Sequence, residues 1–171
     1  VARAIPRMLR LGTRFVRIMS LKPGDDESDT PPIVFEHVRE VTARFREAGI
    51  QAVHENCMNY GGMSPSHTLE LLDRCPGLML VFDTGKPVFN PDRRTAQPWS
   101  RQNAWEFWRQ VRDHVVHIHI KDAIWNVGQA KETYTWPGEG NGFVSAILKN
   151  AINRGYDGGV SIAPHMVSVV H

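Results

Sequence analysis

Apolar residues recur along this chain with two alternating periods. Short runs dense in Val, Ile, Leu and Phe fall at 14–20, 50–56, 78–83, 115–120 and 160–163, the length and composition of buried strands. Between them the period lengthens. Val34, Val38, Val41, Phe45 and Ala48 recur at helical spacing up to Gly49, and a Gly just past the last periodic position stops a helix. Ser64-Pro65 predicts an N-cap followed by the first residue of a helix that runs to about Cys75. Ala104, Trp105, Trp108 and Val111 predict another helix, 143–154 one closed by Gly155, and a helical run near 4–11 precedes the first strand. Segments 22–32 (acidic, ending in Pro31-Pro32), 86–100 (rich in Pro and Arg) and 121–142 read as loops. Loops of such length in compact domains tend to carry function.

Strands that alternate with helices at spacings of roughly 30 to 40 residues imply βα units and a parallel sheet. The sheet is either open and doubly wound or part of a (β/α)8 barrel. Three runs end in groups able to bind a metal: Glu55, Asp83 and, within His117-Ile118-His119, an imidazole. Such groups converge from successive strand ends only if the sheet curls around them, which favours the barrel. Period-two alternation agrees, turning His117 and His119 inward while Val116, Ile118 and Ile120 face the helices. A whole barrel takes about 250 residues and rarely fewer than about 200. Five strands are too few to close, so the expected fold is a partial TIM barrel, one domain over 1–171, whose bare edges favour a homo-oligomer.

Composition narrows the function classes. The chain has 171 residues, 42% hydrophobic and 22% charged, with net charge +2, and no Lys/Arg stripe of the kind that tracks a phosphate backbone, so nucleic acid is not an expected partner. No apolar run approaches the roughly 20 residues that span a bilayer. Cys57 and Cys75 are the only thiols, without disulfide or zinc-knuckle spacing, which points to a reducing, cytoplasmic setting. The start, Val-Ala-Arg-Ala-Ile-Pro, has neither a signal-peptide pattern nor a Met, from which a trimmed or incomplete chain is expected.

On these motifs, from Leu-Gly-Thr-Arg-Phe-Val-Arg-Ile-Met-Ser onward, the chain resembles the sugar-phosphate isomerase/epimerase superfamily, the xylose-isomerase-like TIM barrels that also include endonuclease IV. It looks like barrel strands three to seven of that fold. The resemblance implies a metal site of Glu, Asp, His and a second Glu, one per strand, of which Glu55, Asp83 and His119 match the first three; it selects His119 over His117. Gly155-Tyr156-Asp157-Gly158 and Ser161-Ile162-Ala163 resemble the last ligand strand, but Ala163 stands where a Glu is usual. Lys86 stands three residues after Asp83, where several sugar epimerases have a substrate-binding His, so their sugar specificity does not carry over.

The implied chemistry moves a hydrogen between adjacent carbons of a hydroxy-carbonyl sugar or sugar phosphate through an enediolate. A divalent cation stabilises the developing charge and a carboxylate beside it moves the proton. The family shares that work between two Glu; here Glu55 supplies one and Ala163 cannot supply the other, so weak metal binding and slow turnover are expected. Two carboxylates and one imidazole favour Mn²⁺ or Mg²⁺, then Zn²⁺ or Co²⁺. The alternatives are a non-catalytic sugar-binding or scaffold protein and, ranked lower, a nuclease like endonuclease IV, whose zinc centre is richer in His.

Each candidate also has a plain structural role. Glu55 could cap a turn, Asp83 before Thr-Gly is a common turn residue, and a His in an apolar run is often a core residue; repetition of the pattern on successive strands favours the ligand reading. Arg17 and Lys121 suit an anionic or polyhydroxy substrate, or a salt bridge to Asp122 or its neighbours. His165 is placed to reach the site or to cap its strand. Trp125, Tyr134 and Trp136 lie on the long loop as a wall for a sugar ring or as loop pins. Arg93-Arg94 reads as solvated surface, and Gly138-Glu139-Gly140-Asn141 as a turn before a helix rather than a phosphate cradle.

Overall fold

The computed structural model describes residues 1–21, 32–92 and 94–163. A helix, α1 (Ala4–Arg10), precedes β1 (Phe15–Ile18). The chain continues through α2 (Pro32–Glu47), β2 (Gln51–Glu55), α3 (Pro65–Arg74), β3 (Met79–Asp83), a short α4 (Lys86–Phe89), α5 (Ala104–Val111) and β4 (Val115–Ile120). An antiparallel hairpin, β5 (Asp122–Asn126) and β6 (Lys131–Thr135), comes next, then α6 (Val144–Asn153) and β7 (Gly159–Ile162). Five strands pair in the order β1-β2-β3-β4-β7, every neighbouring pair parallel. This is a half-barrel of βα units, a partial TIM barrel.

The sequence pattern accounts for most of these elements. Gly49 and Gly155 end α2 and α6 at φ +75°, a left-handed conformation that costs Gly little. Ser64 caps α3 by accepting the His67 amide at 3.3 Å, with Pro65 as its first residue. Outward residues of the strands (Ala52, Leu80, Phe82, Ile118, Ile120) form one core with Phe45, Leu71, Phe107, Trp108 and Ile147 of the helices. Phe82 meets Phe107 and Trp108 edge-on at 5.8 and 5.4 Å, contacts worth about 1 kcal/mol each beyond the area they bury.

Three expectations change. The segment 86–100 begins with α4, and 121–142 is not a bare loop but holds the β5–β6 hairpin. Val116 does not join the core. The β3–β4 register shifts between Leu80 and Val81, so Val115 pairs with Leu80 and His117 with Val81. That bulge leaves one extra residue on β4. Val115 packs in the core in place of Val116, which is half-buried and lines a cavity of about 460 Å³ at the N-terminal end of the sheet with Arg14, Phe15 and Tyr156.

Candidate functional site

Inward positions on successive strands define the site. The register aligns Glu55 with Val81 and His117, and Asp83 with His119 and Ser161. His117 Nε2 lies 2.9 Å from Ser161 Oγ, so both face inward. Ala163, two residues beyond Ser161, therefore falls on the inward side as well, half-buried, with its amide bonded to the Ile120 carbonyl at 3.0 Å. His165 and Arg93 lie outside the described residues.

Glu55, Asp83 and His119 each present one ligand atom, all within 4.8 Å of one another. Glu55 Oε1 is 2.7 Å from His119 Nδ1, and Glu55 Oε2 accepts from Arg17 Nη1 at 2.6 Å. Burial alone would raise the Glu55 pKa, but the His119 hydrogen bond and the Arg17, His119 and Lys86 charges outweigh it and hold the carboxyl below its usual range. Asp83 is fully buried. Its Oδ1 accepts the amides of Gly85 (2.9 Å) and Lys86 (3.2 Å), and its Oδ2 accepts from Lys121 Nζ at 2.9 Å. Lys121 is thus closed off by a site carboxylate rather than by Asp122.

The donor set fits a divalent cation. Atoms bound to one ion at about 2.0 to 2.2 Å stand roughly 3 to 4 Å apart, close to the spacing of these three groups. Two carboxylates and one imidazole suit a hard or borderline ion. Ala163 brings no donor.

Supporting residues not assigned a role in sequence hold these ligands. The Asn56 amide bridges strand ends, accepting the Asp83 amide at 2.7 Å and donating to the Asp83 carbonyl at 3.1 Å. Thr84 Oγ1 accepts the Lys121 amide and donates to the Lys121 carbonyl. Their only signal in sequence was a polar residue directly after Glu55 and after Asp83. Asp122 accepts the amides of Ala123, Gly138, Gly140 and Gly142 at 2.8 to 3.0 Å, so the glycine-rich turn closes on a carboxylate of its own chain. Trp125 lies under the Arg101 guanidinium, 3.5 Å from its ring centroid, and Tyr134 packs edge-on against Phe89. Trp136 is exposed.

The family model of the xylose isomerase-like TIM barrel matches residues 1–166. The chain belongs to that family. No curated protein matches it in sequence. Among solved structures it is similar to a probable 3-DHS dehydratase, AsbF, involved in petrobactin synthesis in Bacillus anthracis (TM-score 0.72, 16% identity, 99% of this chain and 64% of that one). It is similar also to a xylose isomerase-like TIM barrel protein of Mycobacterium smegmatis in complex with magnesium (0.67, 20%, 94% and 57%). A D-allulose 3-epimerase from Methylomonas sp. shares the fold (0.63, 13%, 94% and 53%). At these identities the likeness establishes the fold. This xylose isomerase-like chain spans 57 to 64% of the length of AsbF and the magnesium-bound protein. Among the described residues no helix is long and apolar enough to cross a membrane.

Proposed function

We propose that this chain is a metal-dependent isomerase or epimerase, acting on a small hydroxy-carbonyl compound of the sugar or sugar-phosphate kind through an enediolate, with activity impaired by Ala163. The observation that carries this is the meeting of Glu55, Asp83 and His119 within 4.8 Å. A divalent cation held by these three residues, Mn²⁺ or Mg²⁺ first, would supply electrostatic stabilisation of negative charge on neighbouring oxygens. Among the described residues Glu55 is the one carboxylate placed to take or return a proton, His119 Nδ1 fixing one of its oxygens and Arg17 the other. A general base works best with a pKa near the working pH. Glu55 is held below the ordinary carboxylate value, which makes it a weak base, and the missing partner at Ala163 leaves the opposite face without a second one. Epimerisation and dehydration beside a carbonyl both begin with loss of a carbon-bound proton, so the dehydratase and epimerase neighbours are compatible with this first step.

A second reading, a non-catalytic binder on the same scaffold, has its own support: Arg17 and Lys121 already neutralise Glu55 and Asp83 without any ion. Two measurements decide. Calorimetry with Mn²⁺ should show weak binding that Ala163→Glu tightens tenfold or more and Asp83→Ala abolishes. Deuterium wash-in at the carbon beside the carbonyl of a ketose panel should be slow in the unsubstituted chain and faster in Ala163→Glu. Exchange in neither form, with metal bound, would favour the binder. Metal affinity indifferent to both substitutions would overturn the site. The two thiols, both free and buried, accord with a reducing compartment.

A further inference from the structure

Three cationic side chains, Arg17, Lys86 and Lys121, border two carboxylates, Glu55 and Asp83. Among the described residues the site therefore holds one positive charge more than its acids balance, and any bound divalent ion widens the excess. The surplus does not reside on Lys121. Its side chain is 6% exposed and its Nζ is fixed 2.9 Å from Asp83 Oδ2, with Thr84 holding its backbone on both sides.

Arg17 and Lys86 differ from it. Arg17 uses a single nitrogen on Glu55 Oε2, its side chain remains 53% exposed, and the rest of its guanidinium has no partner among the described residues. Lys86 contributes its backbone amide to Asp83 Oδ1, which fixes where its side chain starts. That side chain is half-buried, its charge acts on Glu55, and among the described residues its ammonium has no acid to pair with. Glu55 itself separates two poles. Oε1 faces His119 and the candidate metal position; Oε2 faces Arg17. A neutral ketose would answer the first pole and leave the second uncompensated. A planar guanidinium fork and a second cation whose charge acts on the same carboxylate are the kind of donors that carboxylates and phosphates fit.

On the reading given above, we propose that the substrate carries an anionic group, a carboxylate or a phosphate, gripped by Arg17 and Lys86 while its hydroxy-carbonyl end lies toward Glu55 Oε1 and His119. The anion sets the substrate's orientation, and with it the carbon that faces Glu55.

Calorimetry on the full chain tests this with three probes: inorganic phosphate, malonate and D-fructose, each with chelator and again with Mg²⁺. At least one anion should bind tenfold or more tightly than fructose and weaken as salt rises from about 50 to 200 mM. Lys86→Met and Arg17→Gln should each cost that anion tenfold or more in affinity, and Lys149→Met, on the exposed face of α6, should cost it nothing. Preference for phosphate or for malonate identifies which group the substrate bears. Lys86→Arg, which keeps the charge, should retain binding and so separates loss of the cation from loss of fold. Fructose binding as tightly as both anions, or anion affinity unchanged in Lys86→Met and Arg17→Gln, overturns the proposal. Anion binding that persists without carbon-bound proton exchange counts against the isomerase reading alone; exchange on neutral ketoses with no anion binding counts against this inference alone.

Discussion

His54 neighbours Glu55 in sequence but turns the opposite way, into the packing against Gly61, where a Cβ would come within 2.6 Å of its ring. Its Nε2 accepts the Ser20 amide at 3.0 Å, which requires the proton to sit on Nδ1, and Nδ1 has no partner among the described residues. Burial, only partly offset by the Glu55 charge, pushes the ring down to about 4 from 6.5. The unfolded chain therefore takes up a proton that the folded chain refuses, and stability falls as pH drops from 6.5 towards 4, by about 3 kcal/mol in all. Urea titrations at several pH values should show this slope, flattened in His54→Gln. Glu55 adds a later loss of the same sign. Its folded pKa is depressed, so its contribution is whole above the unfolded value of 4.5 and disappears as pH falls through the lower folded value. Lys121→Met should cost about 3 kcal/mol, the scale for breaking a buried ion pair, and Mn²⁺ should return part of that loss in thermal melts if the ion binds Asp83. The meeting of Glu55, Asp83 and His119 was legible because one pattern repeats at three strand ends. The Lys121–Asp83 pair was not, since the pattern brings the ends of β3 and β4 together without saying which acid Lys121 meets, and Asp122 is its neighbour in the chain.

At the scale of elements, Asp122 closes the turn at 138–142 against the start of β5. Gly140 permits this by close approach, since a Cβ there would sit 2.3 Å from Asp122 Oδ1 and 2.6 Å from the Ala123 carbonyl oxygen. Gly140→Ala should destabilise by about 2 kcal/mol, the usual cost of overpacking, and hydrogen exchange should quicken at Gly138 and Gly142 first; unchanged protection there would contradict the role given to Asp122. The α3 cap and the glycine stops of α2 and α6 were readable, because each needs only one residue of the right kind in the right place. The hairpin was not. Its strands mix Lys131 and Glu132 with Thr133 and Tyr134, and its turn at Val127–Ala130 puts Ala130 in the left-handed region at φ +49°, a place that Gly or Asn would have advertised. The β4 bulge escaped for a related reason: alternation assumes an unbroken register, and one extra residue at Val116 reverses it locally.

For the whole molecule, the alternation of strands and helices gave the half-barrel, and five βα units gave its extent. Among the described residues β1 and β7 each pair on one side only. Phe15, Met19, Val160 and Ile162 are exposed on or beside these edges. Unpaired, apolar strand edges invite pairing, so sedimentation velocity should show mass rising with concentration, and Val160→Lys should shift the distribution back towards the monomer. The manner of that growth follows from all five strands running the same way. Joining β7 of one copy to β7 of another sets the strands antiparallel, makes a self-complementary contact and leaves only the two β1 edges open. Joining β7 to β1 of the next copy preserves direction, leaves a fresh edge at each end, and yields a ring if the rotation closes or a filament if it does not.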